Sequence, residues 1–159
     1  MSKTVLLAVD ARQPAPPSMS VARELCTATG DKIIVLHVHE FAVGRFGRLQ
    51  VDCPEGQAER VVPEIVSALR DSGVTAEAEI RETHVGHIAR AIVDAADQHD
   101  ARFLVLGSSG RTDLPHIPLG SVSHRLLHMS HRPVMLVPRH PAGQTAPPAE
   151  QSAPQTVSG

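Results

Sequence analysis

Apolar residues in this chain fall into short continuous runs, and the segments between the runs carry helical spacing. Val5-Leu-Leu-Ala-Val9 is wholly apolar and stops at Asp10, the pattern of a strand buried on both faces. Lys32 to Val38, Arg102 to Leu106 and Pro133 to Val137 repeat it. Val74 to Glu82 alternates instead, with Val74, Ala76, Ala78 and Ile80 on one side and Thr75, Glu77, Glu79 and Arg81 on the other. That period predicts a half-exposed strand at a sheet edge.

Helices are expected between these strands. A proline-rich loop over 11–17 precedes one that Ser18 or Ser20 would cap, running to Thr29 with Gly30 as its stop. A second covers 57–72, with its regular part beginning near Pro63, where a first-turn proline is tolerated. A third covers 85–99 with Ile88, Ala89, Ile92, Val93 and Ala96 inward, and a fourth covers 120–130. Residues 40–56 mix glycine, proline and polar residues and read as a long loop. The order is β-α-β-α-β-α-β-α-β. It predicts a single α/β domain over 1–139, an open five-stranded parallel sheet with helices on both faces and right-handed crossovers.

Composition narrows the function classes. With 159 residues and 42% hydrophobic positions the chain can bury a core, and with no Trp, no Tyr and three Phe that core is aliphatic. A net charge of −2 and the shortage of aromatic rings argue against nucleic acid as a partner. The first apolar run is too short for a leader or a membrane span, so the expectation is a soluble, cytoplasmic protein that does not engage a membrane. The two cysteines, Cys26 and Cys53, form no C-x-x-C pair and read as free thiols. Residues 140–159, rich in Pro, Ala, Gln and Ser, read as a disordered tail.

The chemistry is concentrated after the fourth strand. Gly107-Ser-Ser-Gly110 follows the strand directly, and Gly120-Ser121-Val122-Ser123 opens the next helix. Strand, glycine loop and helix start in that order bring backbone N–H groups and the positive end of a helix to one point, which suits phosphate. Gly107 lets a ribose or phosphate approach the backbone, Gly110 can turn its N–H toward an anion, and Ser121 and Ser123 add hydroxyls. Arg111 has two balanced readings, a clamp on a terminal phosphate or a solvent-facing side chain.

The string G-x2-G-x9-G-[S/T], here Gly107, Gly110, Gly120 and Ser121, resembles that of the universal stress protein family. The opening Val5–Asp10, Leu36-His37-Val38, Gly86 and the closing Arg132–Pro138 extend the likeness over residues 4–138. The resemblance implies a sheet of order 3-2-1-4-5 and membership of the branch that binds ATP. It implies that Ala8, Val9, Asp10 and Val38 line an adenosine pocket, that Gly107 and Gly110 face ribose and phosphates, and that Gly120, Ser121, Val122 and Ser123 hold the phosphate chain. Asp10 would help place Mg2+ through the nucleotide. It also implies a homodimer through strand 133–137. The chain departs from the family after Asp10, where Ala11-Arg12 and a run of prolines stand in place of the usual Gly-Ser.

No Walker lysine, nucleophile elbow or dinucleotide fingerprint is present. The expected role is a nucleotide-dependent stress-response switch with an unidentified protein partner and at most slow ATP hydrolysis. The alternatives are a dimeric interaction module that binds no nucleotide, or an adenylyl-transferring enzyme. His124 and His128, spaced i, i+4, invite a metal, but without a third ligand beside them a solvated face is the better reading. His37, inside a buried strand, reads as a packing or hydrogen-bonding residue, and no metal site is expected.

Overall fold

A computed structural model describes residues 2–108 and 119–138. In chain order the elements are β1 (Thr4–Ala8), α1 (Pro17–Thr29), β2 (Lys32–Gly44), β3 (Gly47–Gln50), α2 (Gln57–Asp71), β4 (Ala76–His84), α3 (Ile88–Gln98), β5 (Ala101–Gly107), α4 (Ser121–Met129) and β6 (Val134–Val137). Strands β4-β2-β1-β5-β6 lie side by side and are parallel, which is the expected order once β3 is set aside. Gly110, Arg111 and the 140–159 tail lie outside the described residues.

β1 is the central strand, and alternation along it assigns the two faces. Val5, Leu7 and Val9 pack with Ala22 and Cys26 of α1 and with Val62, Ile65 and Leu69 of α2. Leu6 and Ala8 pack on the other face with Ala89, Ile92 and Ala96 of α3 and Leu126 of α4. A strand flanked by partners on both edges and by helices on both faces has no polar side to show, hence its unbroken apolar run. Among the described residues, no helix is long and apolar enough to cross a membrane. β4 pairs only with β2 among the described residues, so the edge expected from its alternation is present.

Three local expectations are corrected. The 40–56 loop is largely strand: β2 runs on to Gly44 and turns back antiparallel through β3, with Phe41 opposite Gln50 and Val43 opposite Arg48. Phe41 also pairs with His84 of β4, so β3 occupies the edge of β2 that β1 uses lower down. The hairpin therefore stands over the carboxyl end of β1. α1 is capped by neither serine; it starts at Pro17 behind Pro16, whose carbonyl accepts the Met19 N–H at 2.9 Å. A proline at the first helical position already has the required φ and no N–H to lose. α2 begins at Gln57 and carries Pro63 in its interior. An interior proline costs about 3 kcal/mol; burial of Val61, Val62, Ile65, Val66 and Leu69 on the sheet, at about 1.5–3 kcal/mol per side chain, outweighs it.

Asp31, in the turn after Gly30, ties three strand starts together. It accepts the Lys3 N–H at 2.9 Å, pairs with Arg102 at 3.3 Å, and its side chain is 3% exposed. Burial pushes its carboxyl up, but the Lys3 N–H, Thr29 and Arg102 outweigh burial and hold it below the ordinary value. A carboxyl depressed in the folded state stabilises the fold above its unfolded pKa, and that contribution is lost as pH falls through the folded value. Asp31→Asn is therefore expected to lower the urea midpoint at neutral pH and to flatten its decline below pH ~4, as measured by urea melts across the acid range.

Candidate functional site

A cavity of about 400 Å³ opens at the carboxyl ends of β1, β2 and β5. Its base is apolar, formed by Ala8, Leu36, Val38 and Leu106, with Ile88, Ala89 and Ile92 of α3 as one wall. This is where an open parallel sheet changes direction, since β1 turns one way to β2 and the other way to β5.

The rim is polar and comes from three loops. After β1, Asp10 turns the chain by accepting the Arg12 N–H on its carboxylate at 3.1 Å and the Gln13 N–H on its carbonyl at 3.1 Å. The Arg12 guanidinium lies 3.9 Å from that carboxylate and donates to the carbonyl of Asp52. After β5, the Ser108 carbonyl accepts the Gly120 N–H at 2.9 Å, which pins the base of the glycine loop. Gly120 then caps α4 with extended backbone, φ −68° and ψ 157°, and makes no side-chain cap. The first bond inside α4 runs from the His124 N–H to the Gly120 carbonyl at 2.9 Å. The N–H groups of Ser121, Val122 and Ser123 precede that bond and have no carbonyl within the helix to serve.

Every expected site residue that is described lines this cavity: Ala8, Val9, Asp10 and Val38 on one side, and Gly107, Gly120, Ser121, Val122 and Ser123 on the other. One expectation changes in detail. The Ser123 hydroxyl is buried and donates to the Gly107 carbonyl at 3.0 Å, so its proton secures α4 against β5. At Gly107 an added Cβ would meet, among the described residues, nothing nearer than the Val137 carbonyl at 4.0 Å, so packing against them does not demand glycine there.

Residues not anticipated complete the rim. Arg125, one turn beyond Ser121, donates to the Gly86 carbonyl at 2.6 Å. Glu40 accepts the Gly86 N–H at 2.6 Å, and Gly86 sits at φ 86°, the left-handed region that glycine enters at low cost. Arg125 carried no signal in the sequence beyond its place one turn after the Gly-Ser start.

Beside the cavity lies a buried polar cluster. His37 and His39 alternate onto one side of β2, and Asp52 and Cys53 reach them from just beyond β3. The Asp52 carboxylate is 2.9 Å from His37 Nε2 and 3.1 Å from His39 Nδ1, and its other oxygen accepts the Glu40 N–H at 3.0 Å. Burial raises its pKa, but the bonds from Glu40, Cys53, His37 and His39 together hold it far below the carboxylate range. Burial, with Asp52 adjacent, pushes the Cys53 thiol up to about 11. His37 thus hydrogen-bonds as expected, whereas His39, Asp52 and Cys53 were not singled out. The rings of His124 and His128 do meet, 4.8 Å apart, but among the described residues no third donor joins them.

Fold and cavity define a doubly wound α/β protein with a cavity at its topological switch point. Residues 1–138 match the model of the Universal stress protein family, and the chain belongs to that family. A universal stress protein from Thermus aquaticus is 29% identical over 138 residues, covering 86% of this chain and 99% of that one. A longer relative from Mycolicibacterium smegmatis is 26% identical over 143 residues, and the match spans 84% of this chain but only 47% of that protein. Among solved structures, a universal stress protein in complex with cAMP superposes with a TM-score of 0.63 at 22% identity, covering 87% of this chain and 98% of the other. One from Archaeoglobus fulgidus in complex with dAMP superposes with a TM-score of 0.60 at 21% identity, covering 84% and 96%.

Proposed function

We propose that the cavity binds an adenine nucleotide, ATP with Mg2+, and that the chain is a cytoplasmic nucleotide-dependent stress-response switch with at most slow hydrolysis. The observation that carries this reading is the convergence of an apolar base and the open N-terminus of α4 on one cavity. A volume of about 400 Å³ lies within the ~300–1,000 Å³ typical of small-ligand sites. Two related structures hold adenine nucleotides, cAMP and dAMP.

In this reading the base and ribose lie over Ala8, Val9 and Val38, and the phosphates sit against the N–H groups of Ser121, Val122 and Ser123. Asp10, a hard oxygen donor at the rim, would hold Mg2+ together with the phosphates. Gly107 and Gly110 would face ribose and phosphates, and Arg111, outside the described residues, keeps its two balanced readings, a phosphate clamp or a solvent-facing side chain. The sequence carries no Walker lysine and no nucleophile elbow, which favours a switch over a dedicated catalyst. Nucleotide would then order the glycine loop and alter a surface read by a protein partner.

Equilibrium titration of the full chain with ATP, with and without Mg2+, tests the reading; saturable binding at one site per chain is expected, and none overturns it. Arg125, one turn into α4, lines the cavity and is placed to meet a phosphate. Arg125→Ala is expected to raise the Kd for ATP about tenfold, roughly 1.4 kcal/mol, with little change for adenosine.

We also propose a homodimer through β6. This strand pairs only with β5 among the described residues, and Met135 on it is 37% exposed. Pairing with the same strand of a second copy would cover that edge and give a two-fold interface. Sedimentation at micromolar protein should return twice the chain mass; the monomer mass would count against it.

A further inference from the structure

We propose that His37, His39, Asp52 and Cys53 bind one zinc ion beside the cavity. One donor atom from each of the four lies within 4.8 Å of every other, and all four residues are buried. Two imidazoles, a carboxylate and a thiolate make a borderline donor set that suits a four-coordinate zinc ion.

The hydrogen-bond partners of the two imidazoles point to a cation at this spot. His37 Nδ1 faces the Val9 carbonyl at 2.9 Å and its Nε2 faces Asp52 Oδ2 at 2.9 Å. His39 Nδ1 faces the same Asp52 oxygen at 3.1 Å and its Nε2 faces Glu59 at 3.0 Å. All four ring nitrogens thus face oxygens that only accept, and a neutral imidazole has a single N–H. With the outer protons donated to Val9 and Glu59, His37 Nε2 and His39 Nδ1 each aim a lone pair at one carboxylate oxygen. In that arrangement a further proton or a metal ion stands between each ring and the carboxylate. A zinc ion satisfies both rings and the carboxylate at once.

The surroundings supply what metal sites require outside the ligands. Val9 and Glu59 orient the two rings, the Glu40 N–H holds the second oxygen of Asp52, and the Gln50 amide reaches Cys53 Sγ at 3.5 Å. Zinc with one carboxylate and one thiolate is neutral overall, which suits a buried position. Tetrahedral zinc separates its ligand atoms by about 3.3–3.6 Å; the His37–Asp52, His39–Asp52 and Cys53–His37 separations are 2.9, 3.1 and 3.9 Å. All six separations lie within 4.8 Å, and side-chain rotation has to draw the wider pairs in on binding. Binding releases the Cys53 proton, and any second ring protons, to solvent. Four protein ligands fill the coordination, so the ion is structural: it clips the Asp52–Cys53 segment and the β2–β3 hairpin onto the rim at His37.

The test uses the full chain, stripped with chelator and titrated with Co2+ in the absence of nucleotide, so its outcome is separate from that of the cavity reading. One Co2+ per chain is expected, with tetrahedral visible bands and a thiolate-to-cobalt charge-transfer band, both erased by Zn2+. Cys53→Ser should lose the charge-transfer band. His39→Gln and Asp52→Asn should weaken zinc binding at least tenfold against a competing chromophoric chelator. His124→Gln with His128→Gln should leave it unchanged. Absence of the charge-transfer band in the wild-type chain overturns the proposal whatever the variants do. So does zinc affinity that survives His39→Gln, or that disappears with the His124 and His128 substitutions.

Discussion

Gly120→Val is expected to lower ATP affinity at least tenfold, about 1.4 kcal/mol, while the protein stays folded. Gly120 is buried, lines the cavity and stands at the start of α4. Its backbone is extended, φ −68° and ψ 157°, a conformation that valine adopts readily, and its N–H bond to Ser108 survives the change. Backbone strain therefore does not account for the expected loss. The branched side chain takes space where phosphate would meet the first N–H groups of α4. Fluorescence titration with an ATP analogue reads the affinity, and a thermal melt alongside it shows that the fold is kept. Unchanged affinity in a folded variant would remove the phosphate seat from this position.

Leu126→Ala is expected to cost about 2–5 kcal/mol of stability. α4 is short, and Ser123 and Leu126 are its buried residues. Leu126 is fully buried against the face of the sheet that carries Leu6, Ile34 and Leu104, with Ile92 and Ala96 of α3 beside it. Truncation leaves a void in a core with no aromatic side chain to fill it, so little relaxation is expected. Chemical denaturation gives the loss directly. A destabilisation below about 1 kcal/mol would mean that α4 is held elsewhere, in practice by the Ser123–Gly107 bond. The same variant should also bind ATP more weakly if the cavity is the nucleotide site, because Leu126 holds the helix whose first residues line it.

The parts of this protein that could be read from residue order share a physical origin: each is decided by neighbours close in the chain. Val5–Val9 and Phe103–Leu106 are apolar throughout because each strand is covered on both faces. Gly107, Gly120 and Ser121 were legible because a strand, a glycine loop and a helix start follow one another directly. The hairpin was not. Phe41-Ala42-Val43 is a short apolar stretch ended by Gly44, and Leu49 stands alone between Arg48 and Gln50, too little to declare a strand; β3 exists only because β2 outruns β1 and leaves an edge to pair. Pro63 misled for a related reason: its local cost is real, but the apolar face of α2 is held by the sheet beneath it.

Residue order alone therefore determined the alternating α/β architecture, the strand order once the family was recognised, and the glycine and serine positions around the cavity. Only the tertiary structure decided that Arg125 closes on Gly86, that the Ser123 proton belongs to Gly107, and that His37, His39, Asp52 and Cys53 meet. These contacts join residues far apart in the chain. They depend on how far one strand extends past another, and burial over the whole sheet sets that, beyond the reach of any local run of side chains.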